Sequence, residues 1–138
     1  MTTSYIHRRR VLFGDCDPGG IVYTPRVSHF VVEAGLEFLG DVLGGPAERR
    51  MFEMGIAPPA RKLSLEFLKP MSWDDELEVA VHTLDVGNSS FSLSLLGTVA
   101  EVPVFTAELS LVCVSTESFK PVELPDEFKK GLLARLVG

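Results

Sequence analysis

Between Thr24 and Gly44 apolar side chains recur every three or four residues: Val27, Phe30, Val31, Ala34 and Phe38. That spacing puts them on one face of an α-helix. Arg26, His29, Glu33 and Glu37 form a polar stripe on another face. Thr24-Pro25 predicts the helix start, with threonine as N-cap and proline in the first helical position. Gly40 or Gly44-Gly45 predicts its end. At a rise of 1.5 Å per residue the helix is about 22–28 Å long, enough to cross a small sheet. Ala47 to Met54 reads as a short second helix, stopped by Gly55 and Pro58-Pro59.

Elsewhere the period is two. Tyr5 to Phe13 carries Ile6, Val11 and Phe13 among arginines and predicts a first strand. Beyond Pro59, Leu63, Leu65 and Phe67 alternate with Ser64 and Glu66; Leu77, Val79 and Val81 alternate with Glu78, Ala80 and His82. Gly87-Asn88 signals a turn. Phe91, Leu93 and Leu95 alternate with serines, and Val104 to Val114 is a further strand. Pro121 to Pro125 is a linker, and Asp126 caps a short C-terminal helix to Leu136. One strand, a long helix and then about four strands in a row imply an antiparallel sheet with a helix packed on it, an α+β architecture.

The 138 residues fit one domain spanning 1–138. Hydrophobic residues make up 46% and charged residues 23%, an ordinary globular balance. The net charge of −6 makes nucleic acid a poor partner. Arg8-Arg9-Arg10 does not change this, because strand side chains alternate between faces; the run reads as an exposed or edge feature. No apolar run reaches the roughly 18 residues of a membrane span, and no signal peptide is evident, so a cytoplasmic protein is expected. Cys16, Cys113, His7, His29 and His82 show no metal-ligand spacing, so neither a metal nor a cofactor is expected.

No GxSxG elbow is present for serine catalysis. A Cys16–His29 dyad is a minor alternative. Cys113 reads as a buried small hydrophobe. Carboxylates remain: Asp15 and Asp17 sit in the turn Gly14-Asp15-Cys16-Asp17-Pro18-Gly19-Gly20, ahead of the long helix. Aspartates favour turns for backbone hydrogen bonding alone, so spacing leaves a structural role open.

The segment Phe13-Gly14-Asp15-Cys16-Asp17-Pro18-Gly19-Gly20-Ile21-Val22-Tyr23-Thr24-Pro25 resembles the active-site loop of the 4-hydroxybenzoyl-CoA thioesterase family. Leu65 to Pro70, with Trp73-Asp74-Asp75-Glu76-Leu77-Glu78-Val79, resembles the family's next block. Val112-Cys113-Val114 and Lys120 to Pro125 resemble its closing strand and tail. The likeness runs from about Tyr5 to Phe128.

It implies a hot-dog fold, a long central helix wrapped by a curved antiparallel sheet of about five strands. It implies hydrolysis of an acyl- or aroyl-CoA thioester in a homodimer with shared sites, often paired into a homotetramer. The catalytic aspartate maps onto Asp17, and the backbone donor that polarises the thioester carbonyl maps near Thr24. Physical chemistry is consistent with both. A helix N-terminus offers free N–H groups and partial positive charge, which favours a developing oxyanion. Gly19 and Gly20 allow close backbone approach to substrate. A thiol leaves readily, so one carboxylate and one oxyanion donor suffice, with Asp17 as nucleophile or as general base.

Further substrate contacts are expected at Tyr23, Phe30, Glu33 and Ser64, each with a structural alternative in the core or on a polar face. Asn88 and Ser89 occupy the turn where relatives grip the CoA phosphates. They stand where many relatives carry arginine or lysine, so the phosphate site either uses other cations, with Arg61, Lys62 and Lys69 as candidates that also read as ordinary surface charges, or is weak. Relatives also place histidine or an aromatic where Thr24 stands. Two competitors remain. A non-catalytic acyl-CoA or acyl-carrier binding protein is one. A hot-dog hydratase is the other; such enzymes use an aspartate and a histidine a few residues apart, and here no histidine follows Asp17 until His29.

Overall fold

The computed structural model describes residues 5–137. Its order is β1 (Tyr5–Arg10), α1 (Thr24–Leu43), α2 (Ala47–Glu53), β2 (Ile56–Ala57), β3 (Ala60–Phe67), β4 (Glu76–Val86), β5 (Ser90–Val99), β6 (Val102–Val112), β7 (Val114–Ser115) and α3 (Asp126–Leu133). Five strands form one antiparallel sheet in the order β1-β4-β5-β6-β3. The short pair β2–β7 stands apart and ties the segment before β3 to the end of β6. The sheet packs around α1 as a hot-dog fold.

The helical spacing of the sequence becomes the core. Phe30, Val31, Ala34 and Phe38 are fully buried against Leu77, Val79 and Leu93 of the sheet. Each such side chain contributes about 1.5–3 kcal/mol through burial. The helix stops at Leu43, where Gly44 takes the left-handed conformation at φ 75°.

The helix start differs from the sequence expectation. Tyr23, not Thr24, is the N-cap, Pro25 is the second helical residue, and no side chain caps the end. Thr24 therefore stands inside the first turn, where its N–H has no intrahelical acceptor. The last helix is likewise preceded by Pro125 as N-cap, with Asp126 already helical, and it ends at Leu133. The first strand stops at Arg10, and the chain enters a 3₁₀ turn over Phe13–Asp15. The Asp15 carboxylate causes this break by accepting the Leu12 N–H at 2.8 Å.

Strand β3 is the least covered part of the sheet. One edge pairs with β6 and the other is open. Leu63, Leu65 and Phe67 pair with buried Leu109, Ala107 and Phe105, which places them on the inner face. Leu63 is nevertheless 38% exposed and Phe67 53%. Apolar side chains on an inner face with nothing over them mark a surface that binding can cover.

Candidate active site

Asp17 lies in a loop clasped from two sides. Its N–H donates to the Ile21 carbonyl at 2.9 Å, and its carbonyl accepts from Gly20 N–H at 2.9 Å. The Val22 N–H donates to the Met71 carbonyl and the Trp73 N–H to the Gly20 carbonyl, so the segment after β3 holds the loop in place. The Asp17 carboxylate is exposed. One oxygen accepts from Gly19 N–H at 2.8 Å, and the other has no partner among the described residues. A half-satisfied, solvent-facing carboxylate can still take a proton or attack a carbon.

Gly19 and Gly20 serve this geometry differently. A Cβ on Gly19 would stand 3.2 Å from Asp17 Oδ1. Gly20 has open space around it but a φ of 80°, where an L side chain costs about 1–2 kcal/mol. Gly20→Ala should therefore destabilise the protein by about 1–2 kcal/mol, read from the midpoint of urea unfolding.

A cleft of ≈ 390 Å³ opens at the start of α1. Ile21, Val22, Thr24 and Val27 form one wall, and Phe67 to Met71 with Val104 form the other. The lining is apolar except for Thr24 and Lys69. The first turn of α1, whose N–H groups lack intrahelical acceptors, thus borders an apolar cleft.

Behind the loop lies a network of charge. The Arg9 guanidinium, side chain 15% exposed, donates to Asp15 Oδ2 at 3.0 Å and to Glu33 Oε1 at 2.9 Å. It sits 4.4 Å from the centre of the Phe30 ring, a cation–π distance. His7 reaches Glu33 at 2.9 Å and His29 lies 3.8 Å from it. Asp15 is buried, with Arg26 3.5 Å away, and its carbonyl accepts the Tyr23 N–H. Asp15 thereby fixes both ends of the segment that carries Asp17.

The family profile of the Thioesterase-like superfamily matches residues 11–132, nearly the whole chain. The chain belongs to this superfamily. Among relatives of the thioesterase, a 1,4-dihydroxy-2-naphthoyl-CoA hydrolase from Nostoc punctiforme is 32% identical, over 94% of this chain and 86% of its own. The acyl-CoA thioesterase YbgC of Haemophilus influenzae is 27% identical, over 87% of this chain and 88% of its own. A solved thioesterase-superfamily structure from Jannaschia sp. CCS1 superposes with a TM-score of 0.92 at 22% identity, covering 99% of this chain and 95% of that one. That likeness shows the fold.

The other expected contacts of the thioesterase are dispersed. Thr24 lines the cleft, and Gly20 and Tyr23 adjoin it in the loop, with Tyr23 60% exposed. Phe30 is fully buried in the core beneath Arg9, because the inward stripe of α1 needs it there. Glu33 faces β1 and is bound by Arg9 and His7. Ser64 pairs with Glu108 and lies on the outer face, away from α1, since its neighbours Leu63 and Leu65 take the inner one. Asn88 and Ser89 sit in the β4–β5 turn, and their carbonyls accept from Leu124 and Cys113. That turn is at the opposite end of β4 from Trp73 and the Asp17 loop. Arg61 and Lys62 are exposed on β3, and Lys69 borders the cleft.

Sequence reasoning missed Arg9 and Met71. Arg9 was read with its neighbours as exposed. Arg8 and Arg10 are exposed, but the alternation of the strand turns Arg9 inward. The Cys16–His29 dyad does not form: His29 faces Glu33, and Cys16 Sγ contacts the Leu12 carbonyl at 3.6 Å. Desolvation, with the carboxylates Asp15, Asp17 and Asp75, pushes the Cys16 thiol up, away from the reactive thiolate. Cys113 is buried, as expected. No cluster of metal-binding side chains occurs among the described residues. No helix there is long and apolar enough to cross a membrane.

Proposed function

We propose that the protein hydrolyses acyl-CoA thioesters with Asp17 as the catalytic carboxylate and Thr24 N–H as the oxyanion donor. The observation that carries this reading is the exposed, half-satisfied Asp17 carboxylate in the loop whose residues Ile21 and Val22 line the apolar cleft at the start of α1. The thioester carbonyl rests at the helix start, where partial positive charge stabilises the tetrahedral oxyanion. As general base, Asp17 takes a proton from water while the water oxygen bonds to the carbonyl carbon. The C–S bond then breaks, and the CoA thiolate leaves and is protonated. As nucleophile, Asp17 bonds to the carbonyl carbon itself, the C–S bond breaks as the CoA thiolate leaves and is protonated, and water hydrolyses the resulting anhydride to free the acid and Asp17. Both routes yield one free acid and one CoA thiol.

The functional unit in this reading is a homodimer joined through β3. An antiparallel pairing sets β3 of one copy beside β3 of a second copy across a two-fold axis. It covers the exposed inner-face side chains and occupies the open edge. Leu63→Asp should convert the protein to monomers in sedimentation and remove thiol release with it. A wild-type monomer that is fully active would contradict the shared site. The same run separates a dimer from the tetramer that the family resemblance suggests.

His29 is held by Glu33 and not by Asp17, which supports hydrolysis over hydration. Thiol release from an acyl-CoA by the wild-type protein tests the reading against binding without chemistry.

A further inference from the structure

The proposed chemistry needs the Asp17 carboxylate and the first turn of α1 at a fixed separation. Asp15 holds the chain on both sides of that gap. Its carboxylate accepts the Leu12 N–H at 2.8 Å, and its carbonyl accepts the N–H of Tyr23, the residue before Thr24. Between the two aspartates, Cys16 bridges to Val22 as the chain returns toward the helix. Where Asp15 stands therefore decides how Asp17 faces Thr24.

Asp15 is itself held from outside the loop. Arg9 turns inward from β1, where the ladder to β4 sets it opposite Leu77. Its guanidinium spans two elements: Nη2 donates to Asp15 in the loop at 3.0 Å, and Nη1 to Glu33 of α1 at 2.9 Å. The Phe30 ring backs the fork, and His7, two residues earlier on the same face of β1, holds the second Glu33 oxygen. Glu33 stands about 14 Å along the helix from Thr24, at 1.5 Å per residue. Arg26 is also 3.5 Å from Asp15, but its side chain is 41% exposed, where water screens the pair. Among the described residues Arg9 has no hydrogen bond or ion pair with Asp17. Its route to the chemistry is the placement of loop against helix. A misplacement of about 1 Å from a change remote from the reacting atoms can cost about a hundredfold in rate. Lysine is no substitute, because an ammonium is one point on a flexible stem and the guanidinium is a rigid planar fork.

Resting on the thioesterase reading, we propose that Arg9 is a positioning residue for the reaction. Braced on Glu33, it holds Asp15 so that the Asp17 carboxylate and the Thr24 N–H keep their working separation.

The test is kcat and KM for thiol release by the full-length protein, with whichever of acetyl-, decanoyl- and benzoyl-CoA the wild type cleaves fastest. It is run at a temperature where circular dichroism shows each variant folded, so that lost stability alone leaves kcat unmoved. Arg9→Lys should lower kcat by about ten- to a hundredfold with KM within about twofold. Glu33→Ala, which leaves Arg9 and Asp15 in place, should lower kcat by about tenfold. Glu33→Gln should recover most of that loss, since its amide oxygen still accepts from Arg9. The Arg9→Lys, Glu33→Ala double variant should fall within about threefold of the slower single variant, because both changes break one brace. Where Arg9→Lys does not fold, the two Glu33 variants decide. An unchanged kcat in the folded variants would make the network purely structural, and a loss that falls on KM would make Glu33 a substrate contact. Either result would overturn the proposal while leaving thioester hydrolysis intact. No thiol release by the wild type from any of the esters would overturn both.

Discussion

Asp17→Asn should lower kcat by about 10²–10⁴-fold and leave the fold intact. Asparagine has nearly the size of aspartate, and its carbonyl oxygen can still accept the Gly19 N–H that the carboxylate accepts at 2.8 Å. What it loses is charge and basicity, the two properties that either catalytic route requires. Because Asp17 is exposed and outside the Arg9 network, the change strands no buried partner. The loss should therefore fall on kcat, with KM and the melting temperature nearly unchanged. A variant that keeps the wild-type kcat would assign the chemistry to another group. A variant that unfolds would assign Asp17 a structural role.

Asp15→Ala should have the opposite profile, with a large loss of stability. Asp15 is buried, accepts hydrogen bonds from Arg9 and from Leu12 N–H, and has Arg26 3.5 Å away. Removing its carboxylate leaves the buried Arg9 with Glu33 alone and leaves the Leu12 N–H without its acceptor. Breaking a buried pair from one side costs about 3–5 kcal/mol, and the remaining Glu33 contact puts this case near the lower figure. For a chain of this length that corresponds to a melting temperature lower by about 10 °C. Asp15→Asn should lose less, since its amide oxygen still accepts from Leu12. Calorimetry at fixed protein concentration checks both, and a loss under about 1 kcal/mol for the alanine variant would show that the network is not what holds the loop.

The two aspartates show how far the sequence could be read. They stand two residues apart in one turn, and turn composition makes them equivalent. The family resemblance singles out Asp17, and the fold gives the physical difference, burying Asp15 against Arg9 and leaving Asp17 exposed. The helical stripe Val27, Phe30, Val31, Ala34 and Phe38 was legible because burial on α1 depends on periodicity alone. The alternating strands were legible for the same reason, and so was the hot-dog architecture once the motif blocks stood in order. The helix start was displaced by one residue because Tyr23 has the extended backbone of an N-cap without a capping side chain.

Contacts between distant segments were not legible. Nothing local to Arg9 says that its guanidinium will meet Glu33 of the helix, 24 residues on. Alternation with Leu63 and Leu65 turns Ser64 to the outer face, but nothing local to it names Glu108 as its partner there. Asn88 and Ser89 illustrate a third case. Their turn lies at the far end of β4 from the Asp17 loop, a separation that nothing in the turn's own residues announces.

The central claim is that a thioester is cleaved at the Asp17 loop. The most direct test follows free thiol and free acid together, for decanoyl-CoA with the wild-type protein and the folded Asp17→Asn variant side by side. The account predicts equal amounts of thiol and acid from the wild type and almost none from the variant. Binding of decanoyl-CoA without release of either product, or equal release by the two proteins, would contradict it.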